Sequence, residues 1–234
     1  MRSNEDSIRR IVIAGLLLAI TLLLVFTRIG MIPVPTPAAN ATVAHIPAII
    51  GGILEGPIVG LVIGMGFGFA SFMNATIPMF KDPIVAILPR LMIGVVAGWI
   101  FLLLKAAKKR TLSIMVGILC VLMLLFSYQT YQTISWLGIV LAVVSVAATA
   151  WLYWWMPRTD IQIVGLSVAA AVGSLTNTVL VLSAAVWRDY IPFEAGWGIG
   201  LTHGIPEAIV SAIVTVAVVS ALRQIGEGRG GSHL

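Results

Sequence analysis

Six side chains in this sequence are of types that could bind or catalyse, and they stand among mostly apolar neighbours: His45, Asn74, Arg90, Asn177, His203 and Glu207. A charge or amide inside an apolar segment is costly to bury, so each is a functional candidate. Arg90 follows Pro89 and carries a planar fork of donors suited to a carboxylate or phosphate. His203 and Glu207 are spaced i, i+4, which places them on one helix face. Each residue also has a structural reading. Arg90 can snorkel or cap a helix. His45, just before Pro47, suits a helix start, and Glu207, just after Pro206, suits the positive end of a helix dipole. Asn177, between Thr176 and Thr178, can bridge helices by hydrogen bonds.

The catalytic signatures are missing: there is no Gly-x-Ser-x-Gly elbow, no His-Glu-x-x-His pair and no phosphate-cradling loop. An intramembrane hydrolase built on His203 with Ser71 or Ser174 has nothing to favour it. The single cysteine, Cys120, excludes a disulfide within the chain and argues against a cysteine-built metal site. No catalytic residue, metal or cofactor is therefore expected.

The elements that must position these groups are membrane helices. Of 234 residues, 59% are hydrophobic and only 10% charged, against roughly 25% charged in a soluble domain. The mean hydropathy is +1.06. Segments of about 20 apolar residues mark spans. They predict helices at Ile8–Ile29, His45–Leu54, Pro57–Met73, Pro83–Leu104, Leu112–Phe126, Trp136–Trp155, Ile161–Val186 and Gly200–Leu222. The chain is expected to be one all-α transmembrane domain, 1–234, of about eight helices. The first span is too long for the apolar core of a signal peptide and is read as retained. Glu55-Gly56-Pro57 splits one apolar run into two helices, since proline is not tolerated in a helix interior. Gly60, Gly64, Gly66 and Gly68 place small residues on adjoining faces of the second, which lets backbones approach closely in lipid. Met31–Ala44, Asn74–Asp82 and Trp187–Gly198 read as loops.

The net charge of +5 sits between spans, where membrane orientation accounts for it without nucleic acid. With a cytoplasmic N-terminus, ten of the 14 basic residues fall inside: Arg2, Arg9, Arg10, Lys105, Lys108, Lys109, Arg110, Arg158, Arg223 and Arg229. Arg28, Lys81 and Arg188 fall outside and Arg90 within the membrane. Both termini are expected in the cytoplasm, and the polar candidates then gather in the outer half of the bilayer, where an external solute could be caught.

Several strings in order resemble the vitamin-binding S components of energy-coupling factor (ECF) transporters, in the pantothenate and folate-like branch. They are His45-Ile-Pro-Ala-Ile-Ile-Gly-Gly-Ile-Leu-Glu-Gly-Pro57 with Gly60-x-x-x-Gly64-x-Gly-Phe67-Gly68-x-x-Ser71-Phe72, then Asp82-Pro83-Ile-Val-Ala-Ile-Leu-Pro89-Arg90-x-x-x-Gly94, Gly173-Ser-Leu-Thr176-Asn177-Thr178 and Gly204-Ile-Pro206-Glu207-Ala208. They cover most of the chain outside Leu112–Asp160. The resemblance implies a six-helix substrate-capture subunit in a prokaryotic cell membrane. It would bind a vitamin near the outer face and work with a transmembrane coupling subunit and two ATPases. The pair of helices within 112–158 has no counterpart in that core and reads as an inserted hairpin.

On this resemblance Arg90, helped by Lys81 or Arg28, pairs an anionic group of the ligand. Asn177, Asn74 and His203 give hydrogen bonds, Phe67, Phe72 and Trp197 give apolar contact, and His45 and Glu207 complete the candidate set. The loops holding Asn40, Thr42, Asn74, Thr76 and Lys81 act as lids. Ala14, Gly15 and Ala19 on the first helix would meet the coupling subunit. A pocket rich in cations suits a carboxylated vitamin such as pantothenate. A stand-alone secondary transporter or channel is the alternative, and it would require inverted repeats or a coupling-ion site.

Overall fold

The computed structural model describes residues 2–33, 40–106, 135–155 and 160–230, with isolated positions between 114 and 132. The protein is mostly helical. Helix α1 (Arg2–Phe26) begins six residues before the expected Ile8, because helical hydrogen bonding continues past the apolar window into charged residues. Just inside the expected start, Arg9 and Arg10 lie 3.8 and 3.5 Å from Glu55, whose side chain is almost fully covered. After α1 the chain turns through Arg28, whose φ of 59° is the left-handed conformation. The expected first loop carries a small antiparallel ladder, β1 (Met31–Pro33) with β2 (Asn40–Thr42), in the register Met31↔Thr42.

Helix α2 (Ile46–Glu55) is ten residues long, or about 15 Å. It is too short to span a bilayer alone, and Ile46 through Ile53 are all buried in the centre of the bundle. Gly56 ends it at φ +99°, a conformation that favours glycine, and Pro57 opens α3 (Pro57–Met73) at its first position, where its missing N–H costs nothing. The 74–82 segment then holds a 3₁₀ turn at Pro78–Lys81. Asp82 caps the four-residue α4 (Pro83–Ala86), accepting from the Ile84 N–H at 2.9 Å. Helix α5 (Leu88–Ala106) follows after a break at Ile87.

The later elements are α6 (Ser135–Trp155), α7 (Ile161–Trp187), α8 (Phe193–Ile199), a π turn at Gly200–Gly204 and α9 (Ile205–Gly230). The last helical stretch thus starts at Phe193 rather than at the expected Gly200. The glycine-rich run 196–204 is accommodated by widening one turn instead of stopping the helix.

Among the described residues, four helical stretches are long and apolar enough to cross a membrane: Ser7–Phe26, Pro83–Ala106, Gln162–Trp187 and Phe193–Leu222. Two shorter apolar helices are α2 and α3. Ile11, Val12, Leu16, Leu23, Ile58 and Ile213 are all more than half exposed, which suits contact with lipid rather than water. This is a multi-pass all-α membrane protein. The expected helix Leu112–Phe126 lies outside the described residues apart from isolated positions, and so does the first half of the expected hairpin. The chain divides into two compact units, residues 103–165 and the remainder.

Within the larger unit, α3 and α5 pack backbone to backbone. A Cβ on Gly60 would sit 2.6 Å from the carbonyl of Gly94, and one on Gly64 would run into the carbonyl of Arg90. Gly66 faces Leu18 of α1 instead, so the glycines do serve two faces. Ile49, Ile63, Ile93 and Leu166 form the centre of the core around α2.

Candidate functional site

A cavity of about 200 Å³ opens where α1 ends, β1 and β2 pair, α3 ends and α5 begins. Its lining comprises Arg28, Met31, Thr42, Phe67, Ser71, Asn74, Ala75, Thr76, Ile77, Phe80 and Arg90. Among the described residues, the ionisable groups in that lining are two arginines.

Arg90 is held by a consequence of its neighbour. Pro89 has no N–H to offer the carbonyl four residues back, so Val85 O is left without its helical donor. The Arg90 guanidinium supplies one, donating from Nη1 to Val85 O. Its side chain is buried, with Cζ 5.7 Å from the Phe67 ring centre and 4.8 Å from that of Phe80. Both lie within cation–π range. Nε has no hydrogen-bond partner among the described residues. The fork is thus anchored on one nitrogen and set between two rings in the cavity wall. The Gly64 contact with the Arg90 carbonyl fixes the backbone from which this fork projects.

The two loops that complete the lining are tied to helices by polar side chains. Asn74 Nδ2 donates to Val25 O at 2.9 Å, joining the end of α3 to α1. Glu207, from the first turn of α9, accepts the Thr42 N–H at 2.6 Å and is buried within electrostatic reach of Arg90.

The remaining expected residues lie elsewhere. His45 is fully buried, and its Nε2 sits 3.0 Å from Ser174 Oγ on α7 and 2.9 Å from Ser211 Oγ on α9. Asn177 is buried on α7, with Oδ1 lacking a hydrogen-bond partner among the described residues. His203 is buried in the π turn, its Nδ1 3.1 Å from Thr202 Oγ1. None of the three is in the cavity lining. Phe72 is half-buried and Lys81 exposed, both outside the lining. Trp197 is half-exposed and stacks edge-on to Phe193 at 6.0 Å. Thus Arg90, Asn74 and Phe67 come together with Arg28, Thr42 and Thr76, while His45 with Ser174 and Ser211 forms a polar seam between α2, α7 and α9, and Asn177, His203 and Glu207 are buried outside the lining.

Sequence reasoning missed Met31, Ala75, Ile77 and Phe80, and took Ser71 only as a conceivable nucleophile. Phe80 had one available signal, an aromatic residue in a short loop otherwise built for turning. The seam residue Ser211 follows Glu207 at i+4, a spacing that was also readable. Among the described residues no group of three or more His, Cys, Asp or Glu could hold a metal ion. On α1, Gly15 and Ala19 are exposed and Ala14 is half-buried.

No curated protein matches the chain. A family model described as "ECF transporter, substrate-specific component" matches residues 9–219. A buried arginine fork facing a small cavity in a multi-pass helical protein accords with that description, and the chain belongs to the family of ECF transporter substrate-specific components.

Proposed function

We propose that this chain captures a small carboxylate-bearing vitamin or vitamin precursor, with pantothenate the best fit. The family consists of substrate-binding subunits that work with a module of a coupling subunit and ATPases, and it is not an enzyme family. The observation that carries the ligand class is the cavity lining itself, which has two arginines and no acid, with the Arg90 fork set between Phe67 and Phe80. A carboxylate would pair with the Arg90 guanidinium in a charge-assisted hydrogen bond. A cationic vitamin such as thiamine would meet two arginines in the described lining. Drug-sized ligands occupy roughly 300–1,000 Å³. A cavity of about 200 Å³ suits a pantothenate-sized molecule better than a folate-sized one.

The remaining assignments form part of the same reading. Basic residues concentrated between alternate spans favour cytoplasmic termini and a cavity facing outward in a prokaryotic cell membrane. The eight-helix count includes a hairpin at 112–158 added to a six-helix core. The exposed small residues Gly15 and Ala19, with Ala14 beside them, offer a surface for close helix approach by the coupling subunit. Asn177 and His203 would contact a ligand only if it reaches deeper than the present cavity, toward the α7–α9 seam.

Two measurements test the reading. Mass spectrometry of the small molecule that co-purifies with the protein should find a carboxylate of about pantothenate size. Binding of radiolabelled pantothenate should weaken about 100-fold in Arg90→Ala, the loss expected for a charge-assisted pair. Unchanged affinity would remove Arg90 from the site, and a co-purifying cation would overturn the ligand class.

A further inference from the structure

The 74–82 segment contributes Asn74, Ala75, Thr76, Ile77 and Phe80, five of the eleven lining residues of the cavity. Among the described residues its backbone hydrogen bonds are local: Asn74 to Ala70, Ala75 to Phe72, Phe80 to Ile77 and Asp82 to Met79. What holds it down is therefore its side chains. Ile77, Met79 and Phe80 pack against Val181, Ala185, Ile191 and Ile199 of α7, α8 and the corner between them. At its C-terminal end, Asp82 Oδ2 accepts from Arg188 Nε at 2.7 Å and lies 3.5 Å from the Tyr190 hydroxyl.

The corner that presents Arg188 and Tyr190 is built for the purpose by helix capping. Helix α7 ends with Tyr190 N–H on Ala185 O and Asp189 N–H on Val186 O, and Asp189 takes φ 57°. This double bond pattern with a left-handed residue folds the chain back over the helix end. It brings the residues on either side of Asp189 to the same carboxylate. The Asp82 side chain is 5% exposed and that of Arg188 46%, and neither is part of the cavity lining.

We propose that Asp82, Arg188 and Tyr190 form a clasp that keeps the 74–82 segment closed over the cavity and so sets the rate at which solute enters and leaves. They are positioning residues that touch no solute themselves. A segment held by side chains rather than by a backbone ladder opens at a lower cost than the helices around it. Breaking the clasp should raise the opening frequency and leave the Arg90 wall intact. The inference rests on the cavity being the solute site.

The test reads access without any solute. In a Cys120→Ser background, Ser71→Cys places a thiol in the cavity lining of the full chain in lipid nanodiscs. Its reaction rate with a small methanethiosulfonate should rise about threefold to tenfold in Arg188→Gln and in Asp82→Asn. Asp82→Asn keeps an acceptor for the Ile84 N–H. The double variant should be no faster than either single one, because both remove one interaction. Arg188→Lys should return the rate toward that of the parent. Unchanged rates in both single variants overturn the clasp, and so do effects that add in the double variant. Exchange of radiolabelled pantothenate tests the capture reading separately, so a failure there leaves the thiol result standing.

Discussion

Along the α3–α5 seam the backbones themselves touch, glycine against glycine, whereas the 74–82 segment meets its neighbours only through side chains. Both border the same cavity. The first carries the charged group and gives it no freedom to wander, because Gly64 lies against the Arg90 carbonyl and Pro89 leaves an acceptor that pins the guanidinium. The second carries mostly neutral contacts and has an ion pair at its C-terminal end. A binding group needs a fixed position and an access route needs a movable one. The molecule separates the two requirements by building each wall from a different kind of contact.

The sharpest way to break this contrast is to spoil the rigid wall. Gly64→Val would force α3 away from α5, and overpacking against backbone has no rotamer escape. The expected cost is about 3 kcal/mol or more, read as a large fall in the melting temperature in detergent. Comparable loss of stability from a substitution in the 74–82 segment would erase the distinction.

A smaller effect separates fold from site. Pro89→Ala gives residue 89 an N–H that can take Val85 O, releasing Arg90 Nη1 from its anchor. Stability should hold or rise by about 1 kcal/mol, while solute affinity falls about fivefold because the guanidinium loses its fixed pose. Unchanged affinity would mean that the anchor does not orient the fork.

The smallest effect is that of pH on the movable wall. The hydrogen bond from Arg188 holds the Asp82 carboxyl below its ordinary range, with help from the Ile84 N–H. The same partner holds the Arg188 guanidinium above its own, so Arg188 stays charged throughout. A lowered carboxyl contributes fully above its unfolded value, about 4, and the contribution is lost as pH falls through the lower folded one. Modification of the Ser71→Cys thiol, corrected for thiolate content, should therefore stay flat between pH 8 and about 5 and increase only below about 4. An increase near pH 6 would point to a different group.

Much of the rigid wall was legible in the sequence, and little of the movable one. Intramembrane Arg90, the Gly60–Gly68 spacing and the Glu55-Gly56-Pro57 break are all local statements, decided by residues within a few positions of each other. The Asp82–Arg188 pair joins residues 106 apart, and the Glu207–Thr42 bond residues 165 apart. Neither separation leaves a mark on periodicity or hydropathy. His45 shows the same limit: its type marked it as costly, but its two serine partners, on α7 and α9, were invisible until the helices were assembled. Hydropathy also misplaced helix ends. It reports where lipid-like composition stops, while α1 continues through charged residues and α8 begins in a stretch read as a connector.

The dependence of Arg90 on Pro89 has an evolutionary corollary. An arginine at that depth is tolerable because the preceding residue leaves a carbonyl without its usual donor, and the proline's broken hydrogen bond is offset by the arginine that takes its place. Loss of Arg90 alone would leave the Val85 carbonyl without a donor, and loss of Pro89 alone would free the guanidinium from its pose. Descendants of this chain should therefore keep or lose the two together, as a single inherited dipeptide.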